Sequence, residues 1–464
     1  MATIPGTPDA DLIDGTASDD TITGQGGNDT IFAWSGADFI DLGSGDDWVD
    51  NGLGSDTVYG GQGDDTIFAG GGNDLLLGGG GNDRIFANDP GLAGLGSANA
   101  GAGDDDVRLY STSGGTLHGG TGTDLISFTN TTGQDLFIDF DNNLLDCGAA
   151  FSQGVTFLAF ERFQVATGFG DDTILGGALD DRLKVGGGAN SVDAKAGNDS
   201  VAYTTGDAST LQGGDGDDTL TVDSGWNSLY FKVQLDGTID DGSLSDILGF
   251  EHFVAHGGNL ADSVTLGTGN DAFCGADGGD DATGGDGADR LAGGGGNDTL
   301  AGERGRDTLL GDNGNDIIRG GGGNDRIRGG AGDDSLTGNA GDDRIRCDTG
   351  DDTVAGGSGA DIFLFTSLQS GFHTITDFDA DSDALHFNRA YLQQGLSAGP
   401  LDPGLLSFGS AVGTQAQFVL SYSAVTDTTV LLWDPNGDDP SAGPFGLIFF
   451  TGEVALTAAD ILIL

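Results

Sequence analysis

Glutamate is nearly missing from this 464-residue chain. Glu161, Glu251, Glu303 and Glu453 are its only four, so the other 70 of its 74 acidic residues are Asp. An acidic helical protein would favour Glu, whereas Asp with Gly favours turns, which argues against a helix-rich fold. Lys and Arg together number 16, and the formal net charge is −58. That charge leaves out nucleic acid and anionic membrane as general partners, and it opposes compaction unless cations neutralise it. Cys147, Cys274 and Cys347 are odd in number and far apart, so they suggest neither a disulfide framework nor a metal-binding spacing. No run of 18 apolar residues is present, and no membrane span is expected. Residues 1–11 lack a basic segment followed by an apolar run, so no conventional signal peptide is expected.

Catalytic signatures are equally scarce. The H-E-x-x-H zinc motif, the G-x-S-x-G nucleophile elbow and the G-K-[ST] phosphate loop are all absent. His252 and His256 have the i, i+4 spacing of zinc ligands, but Phe253 stands where the general base belongs, and the segment reads as a strand. His118, His373 and His386 are scattered. The repeats described next begin by Gly6, so no catalytic domain is expected before them. The chain is expected not to be an enzyme.

What the chain has in abundance is Gly, 90 residues of it, and an internal period of nine. Residues 60–68 read G-G-Q-G-D-D-T-I-F. Stepping by nine keeps Asp at the sixth place through Asp11, Asp20, Asp29, Asp38, Asp47, Asp56, Asp65, Asp74 and Asp83. The eighth place stays aliphatic from Ile13 to Ile85. A second block, residues 266–364, keeps Asp271, Asp280, Asp289, Asp298, Asp307, Asp316, Asp325, Asp334, Asp343, Asp352 and Asp361. A shorter run, residues 167–202, carries Asp172, Asp181, Asn190 and Asp199.

Each unit predicts a short strand with its eighth-place aliphatic inward, then a Gly-rich turn. Two units make one coil, so residues 18 apart stack about 4.8 Å apart. Carboxylates stacked in this way repel unless a divalent ion lies between them. Oxygen-only donors, Asp carboxylates and turn carbonyls, suit a hard cation, and flexible turns that gather six or more oxygens favour calcium over magnesium. Asp pairs 18 apart number seven in the first block, nine in the second and one between them. Roughly one calcium ion per pair of stacked turns would bring −58 to about −24. One row of aliphatics per sheet makes a thin core. The repeats are therefore predicted to fold only as calcium binds.

These units match the pattern G-G-x-G-x-D-x-U-x, and over roughly three quarters of its length the chain resembles the RTX (hemolysin-type calcium-binding nonapeptide repeat) family. The resemblance implies an all-β fold, a parallel β-roll or β-solenoid with calcium in the turns and a β-rich C-terminal cap. It also implies a secreted, extracellular or cell-surface protein of a Gram-negative bacterium.

Between the blocks a unit of about 90 residues is duplicated. In both copies the repeat glycines recur after 19 residues rather than 18, and both close on F-E-x-F, at 160–163 and 250–253. The inserts are read as hairpins or strands that cap or extend the roll. The expected segments are a first roll at 1–86, two module copies at 87–194 and 195–265, a second roll at 266–364 and a cap at 365–464. Residues 374–387 resemble the segment that follows the repeats in serralysin-type C-terminal regions, and the apolar end after Asp460 resembles an uncleaved type I secretion signal. Asp379, Asp381 and Asp383 begin like an EF-hand, but Ala384 replaces its Gly. Asp434, Asn436 and Asp438 form a second such cluster, and an Asx-rich turn is the plainer reading of both. Arg326, Arg328, Arg344 and Arg346, spaced by 18, would put a basic stripe on an acidic surface. Calcium, the type I secretion apparatus and a surface or matrix polysaccharide are the expected partners. The expected function is that of a secreted, calcium-folded structural or surface-associated protein. A carbohydrate-binding protein, or a polysaccharide-active enzyme with its site in the inserts at 128–159 or 222–249, is the alternative.

Overall fold

A nine-residue unit with one inward aliphatic can bury it only against other copies of itself. The computed structural model shows how it does so. It describes residues 2–87, 96–109, 115–129, 136–139, 144–147, 155–158, 160–204, 209–223, 230–233, 239–240, 246–248, 250–365, 371–388, 398–408, 417–434 and 445–464. Strands dominate, and the described helices are two 3₁₀ turns, Pro403–Leu405 and Ala458–Asp460. No helix among the described residues is long and apolar enough to cross a membrane. The chain forms two compact units, residues 1–221 with 237–239 and 243–250, and residues 251–464 with 222–236 and 240–242.

In the first unit alternate repeats feed two parallel sheets. One begins Thr3–Pro5, Thr21–Thr23, Phe39–Ser44, Thr57–Gln62, and the other Leu12–Asp14, Thr30–Phe32, Trp48–Asp50, Thr66–Phe68. Pairing steps by 18, as in Ile22 with Ile40 and Ile31 with Val49. The eighth-place aliphatics Ile22, Ile31, Ile40, Val49 and Val58 are fully buried, whereas seventh-place Leu12 is 72% exposed. The longer steps leave the strands in line: Leu76 pairs with Ala98 and Ala98 with Leu117. Extra residues are thus taken up in connections, because a strand that slipped would turn its inward row to water. Within the first insert, Leu136–Asp139 and Leu144–Cys147 form an antiparallel pair, and Val155–Leu158 runs parallel to 115–118. That insert extends a sheet of the roll.

The second unit repeats the plan from His252–His256 and Ser263–Thr265 through to Ile362–Phe365 and Thr353–Ser358. Beyond it the parallel stacking gives way to an antiparallel pair, Gln417–Ser423 with Thr428–Asp434, joined by Phe445–Thr451. Ile461–Ile463 lies parallel to Leu385–Phe387, with Ile461 and Ile463 buried, and Gly399–Pro400 pairs antiparallel with its other edge.

Where the fourth place of the repeat is left-handed it is Gly, whereas Asp9, Ser18, Leu179 and Leu260 stand at fourth places that are not. Gly314 has φ +134°, and a Cβ there would run into the carbonyl of Gly296, one coil below.

Candidate metal sites in the turns

The sixth-place Asp does two things at once. Its Oδ1 accepts the backbone N–H of the Asp one coil earlier. Asp11, Asp29, Asp47 and Asp65 donate in this way to Asp29, Asp47, Asp65 and Asp83, at 2.7 to 2.9 Å. The series runs on through Asp105 and Asp124 to Glu161 Oε2. In the second unit a like series starts at Phe253 and runs through Asp271, Asp289, Asp307, Asp325, Asp343 and Asp361 to Asp383. Its neighbour runs from Asp262 through Asp280, Asp298, Asp316 and Asp334 to Asp352.

The other oxygen is the anomaly. Oδ2 of Asp29, Asp38, Asp47, Asp56, Asp65 and Asp83 is buried and has no hydrogen-bond donor, and the same holds at every sixth place from Asp280 to Asp343 and at Asp361. A buried carboxylate left so costs several kcal/mol, and natural folds do not repeat such a cost without a compensating group. Burial pushes the carboxyls up, to about 7 for Asp56, Asp65, Asp307, Asp334 and Asp343. The N–H bond on Oδ1 opposes this, and the stacked neighbouring carboxylates add to it.

First-place glycines show what the orphan oxygen faces. A Cβ on Gly302 would sit 2.6 Å from the carbonyl oxygen of Gly320 and against Asp307 Oδ2. Gly311 and Gly338 repeat this with Gly329 and Asp316, and with Gly356 and Asp343. Each cradle therefore gathers a carboxylate oxygen and a main-chain carbonyl from the stacked turn around a space that a methyl group would fill. An oxygen-only donor set of this kind fits a calcium ion.

The second place is left-handed in most of the open turns, even where the residue is not Gly: Gln25, Trp34, Glu303, Asp312 and Asn339 have φ of 72° to 79°. Five turns instead close on themselves, with the second-place N–H donating to Oδ2. These are Thr7 to Asp11, Thr16 to Asp20, Gly177 to Asp181, Gly258 to Asp262 and Asp379 to Asp383. Thr7 and Thr16 add their hydroxyls. Asp11, Asp20 and Asp181 thus differ from the other sequence-read ligands, because the protein itself satisfies their second oxygen. Asp74, Asp172, Asp199, Asp271 and Asp352 are buried at their expected sixth places.

Several contributors lay outside the sequence reading. Asp105, Asp124, Asp218 and Asp262 are buried members of the same series, and Glu161 of F-E-x-F takes the place of an Asp. A second ladder runs along the exposed fifth places, where Asp46, Asp64 and Asn82 donate N–H to Asn28, Asp46 and Asp64. Its signal was Asx at 18-residue spacing.

The remaining candidates resolve locally. His252 and His256 lie four residues apart on one strand, about 13 Å of chain, too far to share an ion. Asp379 accepts from the N–H of Asp381 in an Asx turn. The cluster at 434–438 lies outside the residues with described side chains, as do the inserts at 130–159 and 224–249. Arg328 and Arg346 share the single carboxylate of Asp348, at 2.6 and 2.7 Å, so one charge of the basic quartet is neutralised.

Comparison with known proteins follows this geometry. A family model described as RTX calcium-binding nonapeptide repeat (four copies) matches residues 5–85, in overlapping segments, then 167–201, 203–232, 275–309 and 310–364. No curated protein matches the chain. Among solved structures, the AlgE6R3 subunit from the Azotobacter vinelandii mannuronan C5-epimerase is 26% identical, with 32% of this chain and 77% of that one covered, at a TM-score of 0.23.

Proposed function

We propose that this chain, which belongs to the RTX calcium-binding nonapeptide repeat family, is a secreted, non-catalytic structural protein of a cell surface or matrix that calcium folds outside the cell. The orphaned Oδ2 atoms carry the calcium part of the reading. They also support a reading of its stoichiometry, in which ions lie between stacked open turns and the self-closed turns take none. The segments divided at 86, 194, 265 and 364 belong to the same proposal, as calcium-bearing runs with modules between them.

Calorimetric titration tests the assignment. Asp65→Asn is expected to lower the calcium count by one or two ions, whereas Asp20→Asn, in a closed turn, leaves it unchanged. Equal losses would sink the distinction between the two kinds of turn.

Export is proposed to use a type I apparatus that reads the C-terminal end. Ile461 and Ile463 are buried in the folded unit, so the segment is readable only before folding. Low cytosolic calcium would keep it readable. Removal of residues 461–464 is expected to leave the protein in the cytosol, and undiminished export would refute this.

One observation favours the carbohydrate-binding reading. Trp34, Phe32, Trp48, Phe68 and Phe86 form a row with ring centroids 4.2 to 6.4 Å apart, and Arg108 lies over the Phe86 ring. The rings partly cover one another's faces, and Trp34, 60% exposed, is the member that offers an apolar ring to a sugar. Binding on a glycan array that Trp48→Ala and Phe68→Ala abolish would support it; an empty array would remove it.

A further inference from the structure

At the first place of the second block, eight successive units carry Gly, from Gly275 to Gly338, and Gly356 follows. Cys347 breaks the run. It ends the strand Arg344–Cys347 and is 1% exposed, so its thiol stands where Gly elsewhere leaves the cradle open. Five residues on, Asp352 is the sixth-place Asp of that turn. His373, on the strand His373–Ile375, sets Nδ1 2.9 Å from Asp352 Oδ2. All three residues are buried, and one ligand atom from each lies within 4.8 Å of the other two.

This turn therefore offers sulfur, nitrogen and one oxygen where its neighbours offer oxygen alone. Calcium requires six or more oxygens and gains little from a thiolate or an imidazole. Zinc(II) takes such a set readily. Bonds of about 2.0–2.3 Å in a tetrahedron space its ligand atoms roughly 3.3–3.6 Å apart, within the cluster's 4.8 Å span, so that the 2.9 Å pair of His373 Nδ1 and Asp352 Oδ2 would open by a few tenths of an ångström as the ion enters. Three buried protein ligands would leave one position for a water.

We propose that Cys347, Asp352 and His373 form a zinc-type transition-metal site set among turns built for calcium. Thiolate formation releases the Cys347 proton to solvent as the ion binds. The site pins the strand at 373–375 to the last coils of the roll at a point where the sequence has left the nonapeptide register.

Cobalt(II) is the probe, because calcium is spectroscopically silent. The full chain with Cys147→Ser and Cys274→Ser keeps Cys347 as its sole thiol. In saturating calcium it is expected to bind one equivalent of cobalt, with a sulfur-to-cobalt charge-transfer band and tetrahedral d–d absorption. Zinc should abolish both, and millimolar calcium should not. Further Cys347→Ser should remove the charge-transfer band, and His373→Gln should weaken cobalt binding at least tenfold. Absence of the band in the folded parent, its survival in Cys347→Ser, or its displacement by calcium would overturn the proposal. The parent's own spectrum decides even if a site variant fails to fold. Circular dichroism of the same samples keeps the readings apart: a roll that does not form overturns the calcium reading, and a formed roll without the band overturns this one.

Discussion

In excess chelator the purified chain is expected to give the far-ultraviolet spectrum of a disordered polypeptide, and millimolar calcium should convert it to a β spectrum in a steep, cooperative step. A folded domain is stable by about 5–15 kcal/mol, and an uncompensated buried carboxylate costs several kcal/mol. The eight successive turns from Asp280 to Asp343 alone hold eight orphaned Oδ2 atoms. Their cost exceeds what one inward aliphatic per repeat can leave as net stability, and the formal charge of −58 acts in the same direction. Calcium at a hundred times its dissociation constant returns about 2.7 kcal/mol per site, so the balance is reversed only when the sites of the row fill in number. Because each carboxylate bonds to the coil below it, neighbouring sites fill together. Full β-structure in chelator would refute this account.

The parts of this design that were legible from sequence are those tied to strand periodicity. A period of nine with an aliphatic at the eighth place fixes which side chains go inward, and the structure buries Ile22, Ile31 and Ile40 accordingly. Stacking by 18 follows from the same count, and so does the alignment of the sixth-place Asp residues. What was not legible depends on backbone conformation. In most turns an open cradle goes with a left-handed second place. Thr7 and Thr16 did carry a readable signal, since a β-branched residue resists the left-handed region. Gly177 and Gly258 carried none, because Gly adopts either form. The Cys347, Asp352 and His373 cluster was hidden for a different reason. Its members lie 5 and 21 residues apart in the chain, spacings that match no metal motif, and only the stacking of coils brings them together. Glu161 was likewise obscured, as a lone Glu 37 residues beyond Asp124 that nonetheless receives its N–H.

Acid should do part of the work of calcium. In chelator, lowering the pH from 8 towards 5 is expected to restore β-structure, with the change centred between pH 7 and 6. Asp56, Asp65, Asp334 and Asp343 are raised by burial from 3.8 to about 7, and Asp47, Asp83, Asp280 and Asp289 to about 6. A carboxyl that titrates higher when folded binds its proton more tightly in the fold, so protonation favours folding. The stabilisation is complete below 3.8 and is lost as pH rises through 6 to 7. Asp20 has the opposite sign: hydrogen bonds from Thr16 and Ala2 lower its pKa, so its contribution is present above 3.8 and lost in stronger acid. It is one group against many, and the raised carboxyls set the direction. With calcium present the dependence inverts, because protons and calcium compete for Oδ2, and the calcium concentration at mid-transition should rise as pH falls below 7. Circular dichroism across pH 8 to 5, with chelator and with graded calcium, measures both effects. A flat profile in chelator would mean that protonation of the Oδ2 row cannot replace the cation, and that the roll needs calcium as a geometric bridge as well as a counter-charge.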